Sequence, residues 1–435
     1  MTDMAASTSS SASTTDRISK SLVKRRRAEK RFRLYGQIAI GFAVAFLLIL
    51  LGSIVKDGYR AFWMHEIQLN VTVDADRFAP EGQRDEASLR GINYDAIIVQ
   101  SLRDKLDVEN SRTNRKALRD LVSQEFGFVL REKVLADPSL IGQTFSLTAP
   151  LDDQADLYFK GEIKRSVAED NRPLTDRQLD WLDELKSQGQ IKSKFNTLLF
   201  TRSDSTQPEI AGLWGAIVGS FFTLSVTLLL SVPLAVAAAV YLEEFAPKNK
   251  FTDFIEININ NLAAVPSIVF GLLGLAVLIN FFGMPRSAPI VGGVVLALMV
   301  LPTIIISTRA SLKAVSPSIR QAALALGASK NQSVFQHVLP LAAPGILTGT
   351  IISMAQALGE TAPLLMIGMV SFVPSAPESV MAPSTALPVQ IYIWENASER
   401  SFRDRTAAAI IVLLGFMIVM NLAAVLLRRR FERRW

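Results

Sequence analysis

The run LPTIIISTRASLKAVSPSIRQAALALGASKNQSVFQHVLPL (301–341) decides how the whole chain is read. It is too polar to lie in a bilayer, yet one apolar run (289–307) leads into it and another (344–370) leads out. It therefore joins two membrane spans. Ser316 followed by Pro317 starts a helix, because a side-chain oxygen caps free amides and the proline ring fits the first turn. Gly327 is the matching stop. Ser329 and Gln332 have capping-box spacing and open a second helix, which Pro340 is expected to close. The loop reads as two short helices hinged at a glycine. On the first, Ile319, Ala322, Ala323 and Leu326 share one face by the three-and-four rule, leaving Leu324 to look outward beside Arg320 and Gln321.

Working outward, the 435 residues exceed one ordinary domain, and 49% hydrophobic residues gathered into blocks about 20 long make a membrane protein. The net charge of +6 could suggest a nucleic-acid partner, but the Lys and Arg cluster beside the apolar blocks, which is a topology signal. No nucleic acid is expected. There is no cysteine, so disulfides and thiolate metal sites are excluded, and the two histidines, His65 and His337, are far apart. No catalytic motif, metal site or cofactor site is expected.

Residues 1–34 form a cytoplasmic tail, Ser/Thr/Ala-rich and disordered over 1–13, then basic over 16–33 with the spacing of a membrane-surface helix. The first span, 35–55, is longer than a signal-peptide core and no Ala-x-Ala site follows, so it is read as a retained anchor. Residues 56–210 are polar enough for a separate α+β domain outside the membrane. Ile67, Leu69, Val71 and Val73 alternate with polar residues as in a strand, and helices are expected at 94–106, 115–133 and 175–186, the last opened by a Thr175/Gln178 capping box. Residues 211–427 hold five more apolar blocks, at 213–241, 254–282, 289–307, 344–370 and 406–427, with the loop 308–343 between the fourth and fifth spans. A basic tail, 428–435, ends the chain. Six spans with both termini inside put the N-terminal basic run, Arg309, Lys313, Arg320, Lys330 and the tail all on the cytoplasmic side.

Three features within the spans bear on function. Gly271, Gly274, Gly292, Gly293, Gly349 and Gly359 allow helices to approach closely, and Pro233, Pro266 and Pro363 remove backbone donors and mark kinks. Glu360 is an acid at membrane depth, which needs a cation or a donor such as Thr361 beside it. No Gly-Lys dipeptide occurs, so the chain lacks a phosphate-cradling nucleotide loop.

The loop resembles the cytoplasmic coupling loop of ABC importer permeases: Glu-Ala-Ala, three residues, Gly, nine residues, an apolar residue, one residue, then Leu-Pro. Ala322, Ala323, Gly327, Leu339 and Pro340 sit at that spacing, while Gln321 replaces the acid and His337 the apolar residue. Segments 231–249, 261–277 and 357–368 are similar to the permease subunits of bacterial phosphate ABC transporters, so that 211–427 is covered. The insert after the first span resembles an extracytoplasmic domain of one proteobacterial branch.

The resemblance implies a type I ABC importer permease fold of six transmembrane helices in the bacterial inner membrane. It also implies three protein partners: a separate ABC ATPase, a second permease subunit and a periplasmic phosphate-binding protein. Gln321, Ala322, Ala323, Leu324 and Gly327 would meet the ATPase, and Arg309, Glu360 and Thr361 would line the substrate path, with Gln356 where such sequences often carry another arginine. A permease for phosphonate or sulfate, a membrane sensor and a secondary transporter are the competing readings. The sensor lacks an output domain and the secondary transporter lacks a visible inverted repeat.

Overall fold

The basic run and the first apolar block form one unbroken helix, Thr14–Gly58, rather than a surface helix followed by a span. This computed structural model describes residues 14–74 and 85–431; the disordered reading of 1–13 and the last residues of the basic tail, 432–435, lie outside them. From Leu34 to Val55 the helix carries exposed Leu, Ile and Phe all round, the pattern of a helix solvated by lipid. Residues 1–56 are one unit of the chain and 57–435 a second.

In the second unit a three-stranded antiparallel sheet comes first, with its first strand in the middle. β1 (Trp63–Thr72) pairs with β2 (Thr144–Pro150) and β3 (Ile191–Phe195), setting Leu69 opposite Leu147 and Ile67 opposite both Ala149 and Ile191. The alternation in the sequence is realised: Ile67, Leu69, Val71 and Val73 are all buried, and helices Tyr94–Lys105, Glu125–Ala136 and Asp176–Ser187 pack on the same side through Ile97, Leu130 and Leu182. The Thr175/Gln178 capping box forms. The expected 115–133 helix is instead two, Arg112–Arg119 and Glu125–Ala136, because Val122 leaves the helix to bridge Leu151 and the Ser123 hydroxyl accepts the Glu125 amide hydrogen.

This layer does not stand apart from the apolar helices as a domain reading expects. Ala61, Leu199, Ala211, Leu213, Leu387, Trp394 and Phe402 make one shared core. The helix Trp214–Val240 has no side-chain cap, and the amides at its start are taken by the layer's last turn: Gly212 donates to the Ser203 carbonyl at 2.8 Å, Leu213 to Leu199 at 2.7 Å and Trp214 to Arg202 at 2.9 Å. A Cβ on Gly212 would fall 2.6 Å from the Leu198 carbonyl oxygen, so only glycine allows this approach.

Among the described residues five helices are long and apolar enough to cross a bilayer: Arg25–Phe62, Trp214–Phe245, Pro289–Ala314, Lys330–Gly359 and Ser401–Leu426. The block 254–282 is not a straight span. It is two helices, Lys250–Ala263 and Ser267–Phe281, bent by 101° at the proline that marks the kink, Pro266. The block 344–370 also breaks. Its helix stops at Gly359, Glu360 is extended, and a short helix Ala362–Met366 follows, because Pro363 cannot donate to the Gly359 carbonyl.

Pro340 does not close a helix either. A π-helical segment, Ser333–Val338, bonds Leu339 back to Val334 and the helix continues through the proline to Gly359, so the loop is shorter than 308–343. Of the glycines expected at helix contacts, Gly271, Gly274, Gly292, Gly293 and Gly349 do face neighbouring atoms, whereas Gly359 faces open space at the break.

Candidate functional site

The helix Pro317–Ala325 begins at Ser316 and ends as its glycine dictates. Gly327 has φ +87°, its amide donates to Leu324 at 3.0 Å, and the Ala328 amide donates to Ala323 at 3.1 Å, which together make a Schellman stop. The Ser329/Gln332 capping box forms and opens the next helix.

The face of this helix differs from its sequence reading. Ala323 is buried and Ile319 packs against Val240, Leu312 and Val334, but Ala322 is exposed and Leu326 is 90% exposed. Leu326 is the residue after the last helical turn, where the backbone has begun to unwind, so helical spacing no longer aims it at the core. Leu324 is 51% exposed, as expected, and Gln321 is exposed beside it. Leu324 and Leu326 lie between two helices of membrane length, and Phe335, which is also exposed, sits in the first turns of the second.

Beneath this surface lies an ionic cluster that sequence reading missed. Arg320 is not an outward polar residue; its Nε and Nη2 donate to the Glu244 carboxylate at 3.1 and 2.6 Å. Arg309 lies within the Pro289–Ala314 helix rather than at its end. It is ion-paired with Glu256 at 2.5 Å and Glu243 at 3.4 Å, and Lys313 reaches Glu243 at 3.5 Å. Glu243 and Glu244 sit in a π-helical turn, Tyr241–Phe245, that prolongs the 214–240 helix. Two adjacent acids at the end of one apolar block, with three cations at the end of the second block after it, were the available signal.

Glu360 is elsewhere. It lies half-buried at the break after Gly359, and among the described residues its carboxylate forms no ion pair and accepts no hydrogen bond, including from Thr361. Arg309 and Glu360 are not brought together.

A second concentration of charge lies where the β-layer meets the last helix. Arg405 is buried and donates to the Ala211 carbonyl at 2.6 Å; Ser401 donates to Asp153 at 2.6 Å and Ser123 to Glu209 at 2.6 Å. Burial pushes Asp152 up to about 8, helped by the neighbouring Asp153 carboxylate, and burial likewise raises Glu209. Burial acts on Asp156 too, but His65 at 2.8 Å and Lys160 at 2.6 Å hold it below the usual carboxylate range. A carboxyl whose folded pKa is raised stabilises the fold below its unfolded value near 3.8, and that contribution is lost as pH climbs to about 8. Asp152→Asn keeps the cap on the Gln154 amide. It should therefore leave the melting temperature of the detergent-solubilised chain nearly unchanged at pH 4 and raise it at pH 8.5, by the equivalent of about 1 kcal/mol or more. Equal shifts at both pH values would show that Asp152 does not titrate in this window.

The model described as "Binding-protein-dependent transport system inner membrane component" matches residues 231–435, and one described as a "Domain of unknown function (DUF3333)" matches 19–169. The chain is 32% identical over 248 residues to the "Probable ABC transporter permease protein YqgI" of Bacillus subtilis, covering 53% of this chain and 83% of the relative. It is 32% identical to the "Phosphate transport system permease protein PstA 2" of Mycobacterium tuberculosis (53% and 76% covered) and 30% identical to PstA of Haemophilus influenzae (52% and 78%). A solved structure of the inward-facing MetNI methionine ABC transporter has 17% identity and a TM-score of 0.41, covering 51% of this chain and 98% of the matched one. The chain belongs to the family of binding-protein-dependent transport system inner membrane components, multi-pass permeases of ABC importers, and within it to the PstA-like members.

Proposed function

We infer that the chain is a permease subunit of an ATP-driven importer that moves inorganic phosphate across the bacterial inner membrane. The observation that carries this reading is the glycine-stopped helix Pro317–Ala325, which offers Leu324 and Leu326 to a partner between two membrane-length helices. Its similarity to PstA proteins supplies the substrate. ATP hydrolysis belongs to a separate ABC ATPase that meets Gln321, Ala322, Leu324 and the Gly327 turn, with Ala323 anchoring the helix from behind. A second permease subunit completes the pore and a periplasmic phosphate-binding protein delivers the ion. Taking the bent pair 250–281 as one crossing gives six spans with both termini cytoplasmic, and the 56–210 α+β layer lies outside. Nothing favours phosphonate or sulfate, a sensor or a secondary transporter over this reading.

In the path, Glu360 and Thr361 occupy a non-helical break, where backbone carbonyls and a carboxylate can face a wet route rather than lipid. Arg309 is held by two carboxylates in this conformation, so it serves the anion only in a state that releases it. The test is purification from membranes followed by phosphate uptake: a P-loop ATPase and a second permease should co-purify, and uptake should stop with vanadate and survive an ionophore. An ionophore-sensitive, vanadate-resistant flux would overturn the reading. Glu360→Gln keeps shape and removes charge, so it should lower uptake about tenfold, a change of ~1.4 kcal/mol, with the subunits still assembled. Unaltered uptake kinetics would leave Glu360 a structural role.

A further inference from the structure

We propose that Arg320 is the positioning residue that carries movement of the ATPase-facing helix into two spans at once. Its guanidinium makes a fork that joins a carboxylate and two backbone carbonyls. Nε and Nη2 grip Glu244 at the end of the 214–245 helix. Nη1 donates to the Val315 carbonyl at 2.8 Å, and Nη2 also donates to the Leu312 carbonyl at 2.9 Å, which otherwise accepts the Val315 amide at 3.3 Å; both carbonyls lie at the end of the 289–314 helix. One side chain thus ties the helix it belongs to, Pro317–Ala325, to the ends of two membrane helices.

The remaining attachment of this helix is apolar: Ile319 lies on a cluster of Val240, Leu312, Val315, Val334 and Val338, and Ala323 is buried. Apolar contact is non-directional and lets one surface slide on another. The fork is directional and short, and the Glu244 side chain is only 8% exposed, so water does not loosen it. Lys313 and Arg309 engage the neighbouring Glu243 and do not compete for Glu244. Without the fork the helix would still dock, but its displacement would be absorbed by slippage at the apolar cluster.

The inference rests on the permease reading, and its test separates the two. Lysine keeps the charge of Arg320 but cannot span three acceptors in one plane, and Glu244→Gln keeps size while removing the charge of the acceptor. Each variant is assembled with the ATPase, the second permease and the binding protein in proteoliposomes, and inorganic phosphate moved and ATP hydrolysed are counted together. Expected for Arg320→Lys and Glu244→Gln are ATPase capture and basal hydrolysis as in wild type, with about fivefold or more ATP spent per phosphate. The chain has no cysteine, so spin labels at Ser318→Cys and Leu234→Cys report directly on the link. Their distance distribution should stay narrow on adding nucleotide in wild type and broaden in Arg320→Lys. An unchanged stoichiometry with a narrow distribution overturns the proposal. So does failure of both variants to capture the ATPase, since Arg320 would then only shape the docking surface. A wild-type complex that hydrolyses no ATP would instead fail the permease reading.

Discussion

Leu326→Asp is expected to abolish capture of the ATPase subunit at membrane levels equal to wild type. Leu326 is 90% exposed at the tip of the Pro317–Ala325 helix, where a monomer gains nothing from an apolar residue, so the side chain is explained by a partner surface. A central apolar anchor of this kind contributes roughly 2–4 kcal/mol to an interface. An aspartate there would also strip a carboxylate of water without a counter-charge. Together these weaken binding by about 30-fold at the least, with pull-down of the ATPase and ATP-driven phosphate uptake lost in parallel. Leu324→Asp should act in the same direction but less, being half as exposed and flanked by the helix. Because the Leu326 side chain is almost fully exposed, the substitution should leave the folded permease intact. Normal capture in both variants would remove this helix from the ATPase interface.

Replacing residues 62–205 by a flexible linker is expected to cost the chain its stable membrane form, against the reading of that segment as a separate domain. The cut removes Leu199 and the carbonyls of residues 199, 202 and 203. That uncovers Leu213 and Trp394 and leaves the first amides of the 214–240 helix without acceptors. It also removes Asp204, which accepts the Trp394 indole hydrogen at 2.9 Å. Exposing side chains of this size costs about 1.5–3 kcal/mol each, a large part of the ~5–15 kcal/mol by which such folds are stable. A different cut makes the comparison: the Asn196 amide donates to the Phe62 carbonyl at 2.8 Å, so a short linker can replace 64–194 and keep the shared core. That variant should reach the membrane and bind the ATPase, while the 62–205 replacement should be degraded or protease-sensitive. Equal behaviour of the two would mean that the shared core is not what holds the layer in place.

What the sequence by itself determined is local. Hydropathy located the apolar helices, alternation located β1, and Ser316, Pro317, Gly327, Ser329 and Gln332 marked helix ends, because a cap or a left-handed glycine acts within a few residues of itself. The family spacing of Ala322, Ala323, Gly327, Leu339 and Pro340 was legible for the same reason. Only the tertiary structure decided the rest. Arg320 meets Glu244 across 76 residues and Arg309 meets Glu243 across 66, and no periodicity tells which acid a given cation will reach. Leu326 left its expected face because the helix had already ended. Pro340 and Pro363 carry the same missing donor, yet one is absorbed by a π turn and the other breaks the helix beside Glu360; the difference lies in how neighbouring turns rearrange their hydrogen bonds, which a single proline in a sequence does not specify.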